Sequence, residues 1–171
     1  MLMGAGDEEL EGFNGLTFPG LYALLANAYM SKYPKLTRDL LAEVSVKNHF
    51  HGARNDYCQF RKEINIDVVK NATMVADPLT LFDCSPITDG AASIILASEA
   101  KAKELGSKVS IIGSGMGTDS LSLARRNTLT AIPAGKIAAD AAYASAGIKA
   151  SEVNFAEVHD CFTIAEIMAV E

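Results

Sequence analysis

The chain has 171 residues, 49% hydrophobic and 21% charged, with 15 Lys and Arg against 21 Asp and Glu. Those proportions exclude wholesale disorder, and the net charge of −6 excludes a strongly basic binder of nucleic acid or anionic membrane. Cys58, Cys84 and Cys161 form no CxxC pair, which excludes a disulfide framework, a zinc ribbon and a thioredoxin motif and fits a reducing, cytoplasmic setting.

Met1–Pro19 is rich in Gly and acid and reads as loop. Leu21–Lys32 follows with Leu21, Leu24, Leu25, Ala28 and Tyr29 at helical spacing, and Pro34 punctuates it. Thr37 is a plausible N-cap for a second helix through Asn48, with Leu40, Leu41 and Val44 inward. His49 to Tyr57 reads as loop, and Ile64, Ile66 and Val68 alternate weakly. Pro78 and Pro86 bound a further loop that ends in Thr88-Asp89-Gly90. The first basic residue is Lys32, so no charged leader is visible. The apolar run Leu21–Met30 is interrupted by Asn27 and is shorter than the roughly 20 residues a spanning helix needs.

The second half alternates strand and helix signals. Ala91–Ser98 reads as a buried strand and Glu99–Leu105 as a helix stopped by Gly106. Val109–Gly113 reads as a second strand, and Gly135–Ala146 as an Ala-rich helix ended by Gly147. Phe155–Val158 reads as a third strand, running into His159-Asp160-Cys161-Phe162 and a final helix from Thr163. This alternation predicts an α/β class. Nothing in the last helix signals a stop, so the sequence reads as a section of a longer protein.

Four segments invite chemistry. Gly113-Ser-Gly115-Met-Gly117 lacks the small residue, the immediate helix and the downstream acid of a dinucleotide site, and reads instead as a flexible strand-end loop. His49, His51 and Cys58 do not have metal-ligand spacing and read as a polar loop, with ligand contact by His49 or Met3-Gly4 left open. Asp83-Cys84-Ser85-Pro86 lacks a nucleophile elbow; turn formation explains it, with Cys84 as a small hydrophobe.

His159-Asp160-Cys161-Phe162 is different, because it lies between a strand end and a helix start. Ligands bind beyond the carboxyl ends of strands in α/β sheets, and a thiol at a helix N-terminus becomes thiolate more readily. A neighbouring His can donate to a developing oxyanion or exchange a proton. The competing reading is an Asp160 N-cap, a satisfied His159 and a core-filling Cys161.

Glu157-Val-His-Asp-Cys-Phe-Thr-Ile164 resembles the HDCF fingerprint of the thiolase superfamily, in the sterol-carrier-protein-type thiolases and archaeal acetyl-CoA acetyltransferases. Val75-Ala-Asp-Pro-Leu79, Thr88-Asp-Gly-Ala-Ala92, Lys47-Asn-His49 and Leu16-Thr-Phe-Pro-Gly-Leu-Tyr22 extend the resemblance over essentially the whole chain. It implies a layered αβαβα fold, only partly covered. Residues 1–75 would belong to an inserted loop domain on the CoA side, 76–106 to the end of the first half and 107–171 to the start of the second.

The reaction so implied is acyl transfer between CoA thioesters: Claisen condensation, or thiolysis of a 3-ketoacyl-CoA. The resemblance gives His159 the role of oxyanion-hole donor and Cys161 that of acid/base, with Asp160 in support. It implies a coenzyme A thioester as substrate, no separate cofactor or metal, a homodimer or tetramer, and hydroxymethylglutaryl-CoA synthase as a partner. Neither Cys58 nor Cys84 has the family nucleophile's Cys-x-x-Gly-like context, and there is no Gly-His-Pro histidine. The expectation is therefore a middle fragment of an acyltransferase, inactive alone. Two rivals stand beside it: a non-catalytic CoA-binding or interaction module, and a lipid-transfer-type retro-aldolase on the same fold.

Overall fold

The computed structural model describes residues 6–171. Within them the chain forms two compact units, one of residues 6–85, 118–133 and 156–171, the other of residues 86–117 and 134–155.

In the first unit, Asp7 caps a turn of helix at Glu8–Gly12, where the sequence reads as loop; its carboxylate accepts from the amides of Glu9 and Leu10. Glu11 is buried there because its carboxylate has partners: it accepts from the Asp7 amide and, farther along the chain, from the Ser122 hydroxyl and the Leu123 amide. Helix α1 (Phe18–Lys32) begins with Pro19 in its first turn, where the missing N–H costs nothing. Its buried positions are Leu21, Ala23, Leu25, Ala26 and Tyr29, whereas Leu24 is 43% exposed, a correction to the predicted face.

Helix α2 (Arg38–Gly52) is capped as predicted, with Thr37 Oγ1 accepting from the Leu40 amide. It buries Leu41, Ala42 and Ser45, leaves Leu40 largely exposed, and continues through His49–Gly52, which the sequence assigns to a loop. The weakly alternating run resolves as helix α3 (Ile66–Lys70), because Asn65 accepts from the Val68 amide and so starts a helical turn. Strands β1 (Met74–Ala76) and β2 (Leu79–Thr80) form an antiparallel hairpin across Asp77-Pro78, with Met74 opposite Thr80 and Ala76 opposite Leu79.

Helix α6 (Thr163–Val170) completes this unit. Its Ile164 and Met168 join Leu25 and Tyr29 of α1, Leu41 of α2, Leu79 and Phe162 in one core. All of the buried apolar side chains among the described residues belong to this unit.

The second unit holds α4 (Glu99–Glu104) and α5 (Pro133–Ala146), both as predicted; Gly106 and Gly147 sit past their ends at φ +73° and +70°. The predicted strands Ala91–Ser98, Val109–Gly113 and, straddling the unit boundary, Phe155–Val158 form no ladder. Ile95 is 93% exposed and Phe155 84%, so these runs are not buried either. An apolar run becomes a strand only when a second backbone pairs with it, and none does among the described residues.

The glycine-rich stretch is not a flexible loop. A Cβ on Gly113, Gly115 or Gly117 would overlap the carbonyl oxygens of Ala142, Ala138 and Ala134 respectively. Alternate residues of an extended chain thus meet positions four apart on α5. The spacings agree: two extended residues span about 6.6 Å and four helical residues about 6 Å. The glycines remove side chains where backbone lies on backbone.

Candidate functional site

The HDCF segment lies entirely in the first unit. Cys84 and Phe162 form an antiparallel bridge, and the Ser85 amide donates to the Cys161 carbonyl at 3.0 Å. The turn Asp83-Cys84-Ser85 is therefore the backbone partner of the HDCF segment.

Asp83 explains why that turn is rigid. It is 2% exposed, and its carboxylate accepts from the Thr80 amide (2.7 Å), the Thr80 hydroxyl (2.9 Å), the Arg38 guanidinium (2.5 and 3.2 Å) and the Thr163 hydroxyl (3.0 Å). A buried carboxylate is tolerable when every lone pair has a donor, and the bidentate arginine compensates its charge. Asp83 thereby ties the N-termini of α2 and α6 to β2.

Cys84 is half-buried and donates its thiol to the Thr80 carbonyl at 3.4 Å. Burial, reinforced by the neighbouring Asp83 charge and only partly offset by Arg38, pushes its pKa up to about 11 from an ordinary 9.0. It is a protonated, poorly nucleophilic thiol at neutral pH, in keeping with the hydrophobe expected.

Cys161 is half-buried and lies one residue before Phe162, the N-cap of α6. It therefore precedes the helix rather than occupying its first turn, as the sequence suggested. Tyr22 of α1 is its electrostatically coupled neighbour. The Tyr22 ring stacks on Phe162, the residue after Cys161, with centroids 4.2 Å apart. Burial first, then the bond to Cys161, hold Tyr22 far above the usual tyrosine range, against a smaller opposing pull from Arg126. Tyr22 is thus a neutral phenol at neutral pH. It stands in one of the segments that carries the family resemblance, but nothing local in the sequence marks it as a partner of Cys161.

His159 is exposed and its ring has no hydrogen-bond partner among the described residues. Asp160 is exposed too, and accepts from Asn48 Nδ2 of α2 at 2.6 Å; it is not the N-cap of α6. His49 turns elsewhere, donating Nδ1–H to the Lys62 carbonyl at 3.0 Å and meeting Phe82 edge-on. Met3-Gly4 lies outside the described residues. A cleft of about 810 Å³ between α1, α2 and α6, lined by Tyr29, Tyr33, Leu36, Leu40 and Ile167, does not include His159, Asp160 or Cys161.

What the segment offers chemically is a thiol with a neutral phenol against it and, two residues away, an imidazole free to face a ligand. Among the described residues, no helix is long and apolar enough to cross a membrane.

A family profile described as "Thiolase C-terminal domain-like" matches residues 115–171. Over 170 residues the chain is 41% identical to an acetyl-CoA acetyltransferase of Methanocaldococcus jannaschii, covering 98% of this chain and 43% of that protein. It is 42% identical to an acetyl-CoA acetyltransferase of Methanothermobacter thermautotrophicus (98% and 44%) and 33% identical to sterol carrier protein 2 of Bos taurus (90% and 29%). The chain spans less than half the length of these curated relatives.

Two solved structures share the fold at 22% identity. One is a chain of an Ltp2-ChsH2(DUF35) aldolase, with a TM-score of 0.82 over 95% of this chain and 44% of that one. The other is a monomeric SCP2-thiolase-like protein of Mycobacterium smegmatis, with a TM-score of 0.69 over 88% and 36%. The fold is accordingly thiolase-like, and residues 115–171 match the thiolase C-terminal family, with archaeal acetyl-CoA acetyltransferases and sterol carrier protein 2 among the chain's relatives.

Proposed function

We propose that the HDCF segment is part of the catalytic centre of a thiolase-type acyltransferase acting on acetyl-CoA or a 3-ketoacyl-CoA. The observation that carries this reading is a half-buried Cys161 and an exposed, unpartnered His159 on one segment, held by the Ser85–Cys161 and Asp83–Thr163 bonds. Cys161 takes the α-proton of one thioester, and His159 donates to the enolate oxygen so formed. In the reverse direction Cys161 returns the proton to the leaving enolate.

On this reading the CoA thioester is the substrate and no further cofactor takes part. Residues 1–75 belong to the CoA-side loop domain, 76–106 to the end of the first half and 107–171 to the start of the second. The working protein is a cytoplasmic homodimer or tetramer that can associate with hydroxymethylglutaryl-CoA synthase. The 171 residues contain neither a Cys-x-x-Gly-type nucleophile nor a Gly-His-Pro histidine, so by themselves they do not turn over.

A chimera tests this, with the chain replacing the matched stretch of the Methanocaldococcus jannaschii enzyme. It should thiolyse acetoacetyl-CoA, and Cys161→Ala should reduce the rate about 100-fold or more. A folded chimera that binds CoA without turnover would instead make the chain a non-catalytic module. Turnover unaffected by Cys161→Ala would remove the acid/base role. Cleavage of a β-hydroxyacyl-CoA without a labelled acyl-enzyme would make it a retro-aldolase.

A further inference from the structure

The HDCF segment is tethered from one side by a single amide. Asn48, on α2, donates from Nδ2 to Asp160 Oδ2 at 2.6 Å and to Glu166 Oε2, on α6, at 2.9 Å. The Lys47 ammonium contacts Asn48 Oδ1 and Glu166 Oε1 and Oε2, the latter two at 3.0 and 3.2 Å. This sets the amide's orientation: its oxygen faces the cation, so its NH₂ faces the two carboxylates. Both N–H bonds of one planar group are thereby used to hold two negative charges that would otherwise repel each other.

Asp160 sits between His159 and Cys161, so whatever holds its side chain sets where those two neighbours point. Ser85 fixes the backbone at Cys161 and Asp83 fixes Thr163, but both contacts lie on the helix side of the segment. Asn48 supplies the restraint on the His159 side.

We propose that Asn48 is a positioning residue that holds the His159–Cys161 segment through Asp160, using Glu166 and Lys47 to lock its own amide. Its value for catalysis rests on the acyltransfer reading above; the tether itself does not. Asn48→Asp is nearly isosteric but places a third carboxylate against Asp160 and Glu166, and Lys47 cannot neutralise all three. Asn48→Leu removes the donor without adding charge. Asp160→Ala breaks the same contact by removing the acceptor from an exposed residue that the core does not need.

The test is carried out on the 171-residue chain. Amide exchange at residues 158–162 and the rate of Cys161 alkylation by iodoacetamide are measured for wild type, these three variants, and the exchanged pair Asn48→Asp with Asp160→Asn. Exchange at 158–162 should speed up about tenfold or more in Asn48→Asp, and less in Asn48→Leu, as loss of a hydrogen bond to a charged group implies. Cys161 alkylation should change in the same order, and the exchanged pair should recover most of both effects, since amide and carboxylate still meet. Exchange in α1 should be unmoved. The proposal is overturned if exchange and alkylation in all single variants stay within about twofold of wild type, or if the exchanged pair is no better than Asn48→Asp. Should Asn48→Leu fail to fold, Asp160→Ala alone decides by the same criterion. An inactive chimera with an intact tether would count against the acyltransfer reading and leave Asn48's role standing; an active chimera insensitive to Asn48→Leu would do the reverse.

Discussion

The Thr163 hydroxyl donates a 3.0 Å hydrogen bond to Asp83 Oδ1 across 80 residues of sequence, joining the start of α6 to a carboxylate that is 2% exposed. Through it the HDCF segment is attached to the same carboxylate that binds Arg38 and Thr80. The site's geometry therefore depends on a residue that touches none of its chemistry.

Asp83→Ala leaves the Arg38 guanidinium without its partner and strands the donors of Thr80 and Thr163. We expect a loss of about 3–5 kcal/mol in urea unfolding, the range for breaking one side of a buried pair. Asp83→Asn should cost less, because one carbonyl oxygen still accepts. A loss below about 1 kcal/mol for Asp83→Ala would show that the hub is not a stabilising feature.

Cys84 should be a poorly reactive thiol. With its pKa raised to about 11, Cys84 should resist iodoacetamide at pH 8 and label only as the pH approaches that value. The folded value lies above the ordinary 9.0, so its contribution to stability is complete below about pH 9 and is lost as the pH rises through about 11. Peptide mapping of alkylated Cys84 against pH checks the first expectation, and the unfolding midpoint of Cys84→Ala relative to wild type between pH 8 and 11 checks the second.

Tyr22 should stay a neutral phenol through the usual tyrosine range. In a spectrophotometric titration of the five tyrosines, Tyr22→Phe should remove none of the tyrosinate absorbance that develops below about pH 11. The same variant should alter Cys161 alkylation and leave Cys58 alkylation unchanged, since Tyr22 stacks on Phe162 beside Cys161 and is coupled to that thiol. Absorbance lost at the ordinary tyrosine range would mean that Tyr22 is not held by Cys161.

Gly115→Val should loosen α5, because its Cβ would meet the Ala138 backbone rather than a yielding side chain. Overpacking of this kind costs about 1–3 kcal/mol, visible as faster amide exchange over residues 133–146. Gly90→Ala is the control, as its Cβ would meet nothing within 4 Å. Equal exchange in both variants would return the glycine stretch to an ordinary loop.

The helices were largely legible locally. Thr37 as N-cap, Gly106 and Gly147 as stops, and the onset of α6 at Thr163 all rest on interactions within a turn or two. Asp7 and Asn65 show the limit of that legibility: both are good caps, but the short helices they start have too little periodicity to stand out. The inner faces were read less well, because Leu24 and Leu40 match the helical spacing and still point outward.

Local sequence was enough for the longer helices, several of their caps and stops, and the HDCF segment with its family resemblance, since caps, glycine stops and a contiguous motif need no distant partner. Only the tertiary structure decided what surrounds that motif. Tyr22 on the Cys161 thiol, Asn48 on Asp160 and Asp83 on Thr163 are contacts between segments far apart in the chain. It also decided that three apolar runs stay unpaired and that the glycines lie flat on α5. A hydrogen bond or close backbone approach between distant residues is set by how the helices pack, and packing is a property of the whole chain rather than of any window along it.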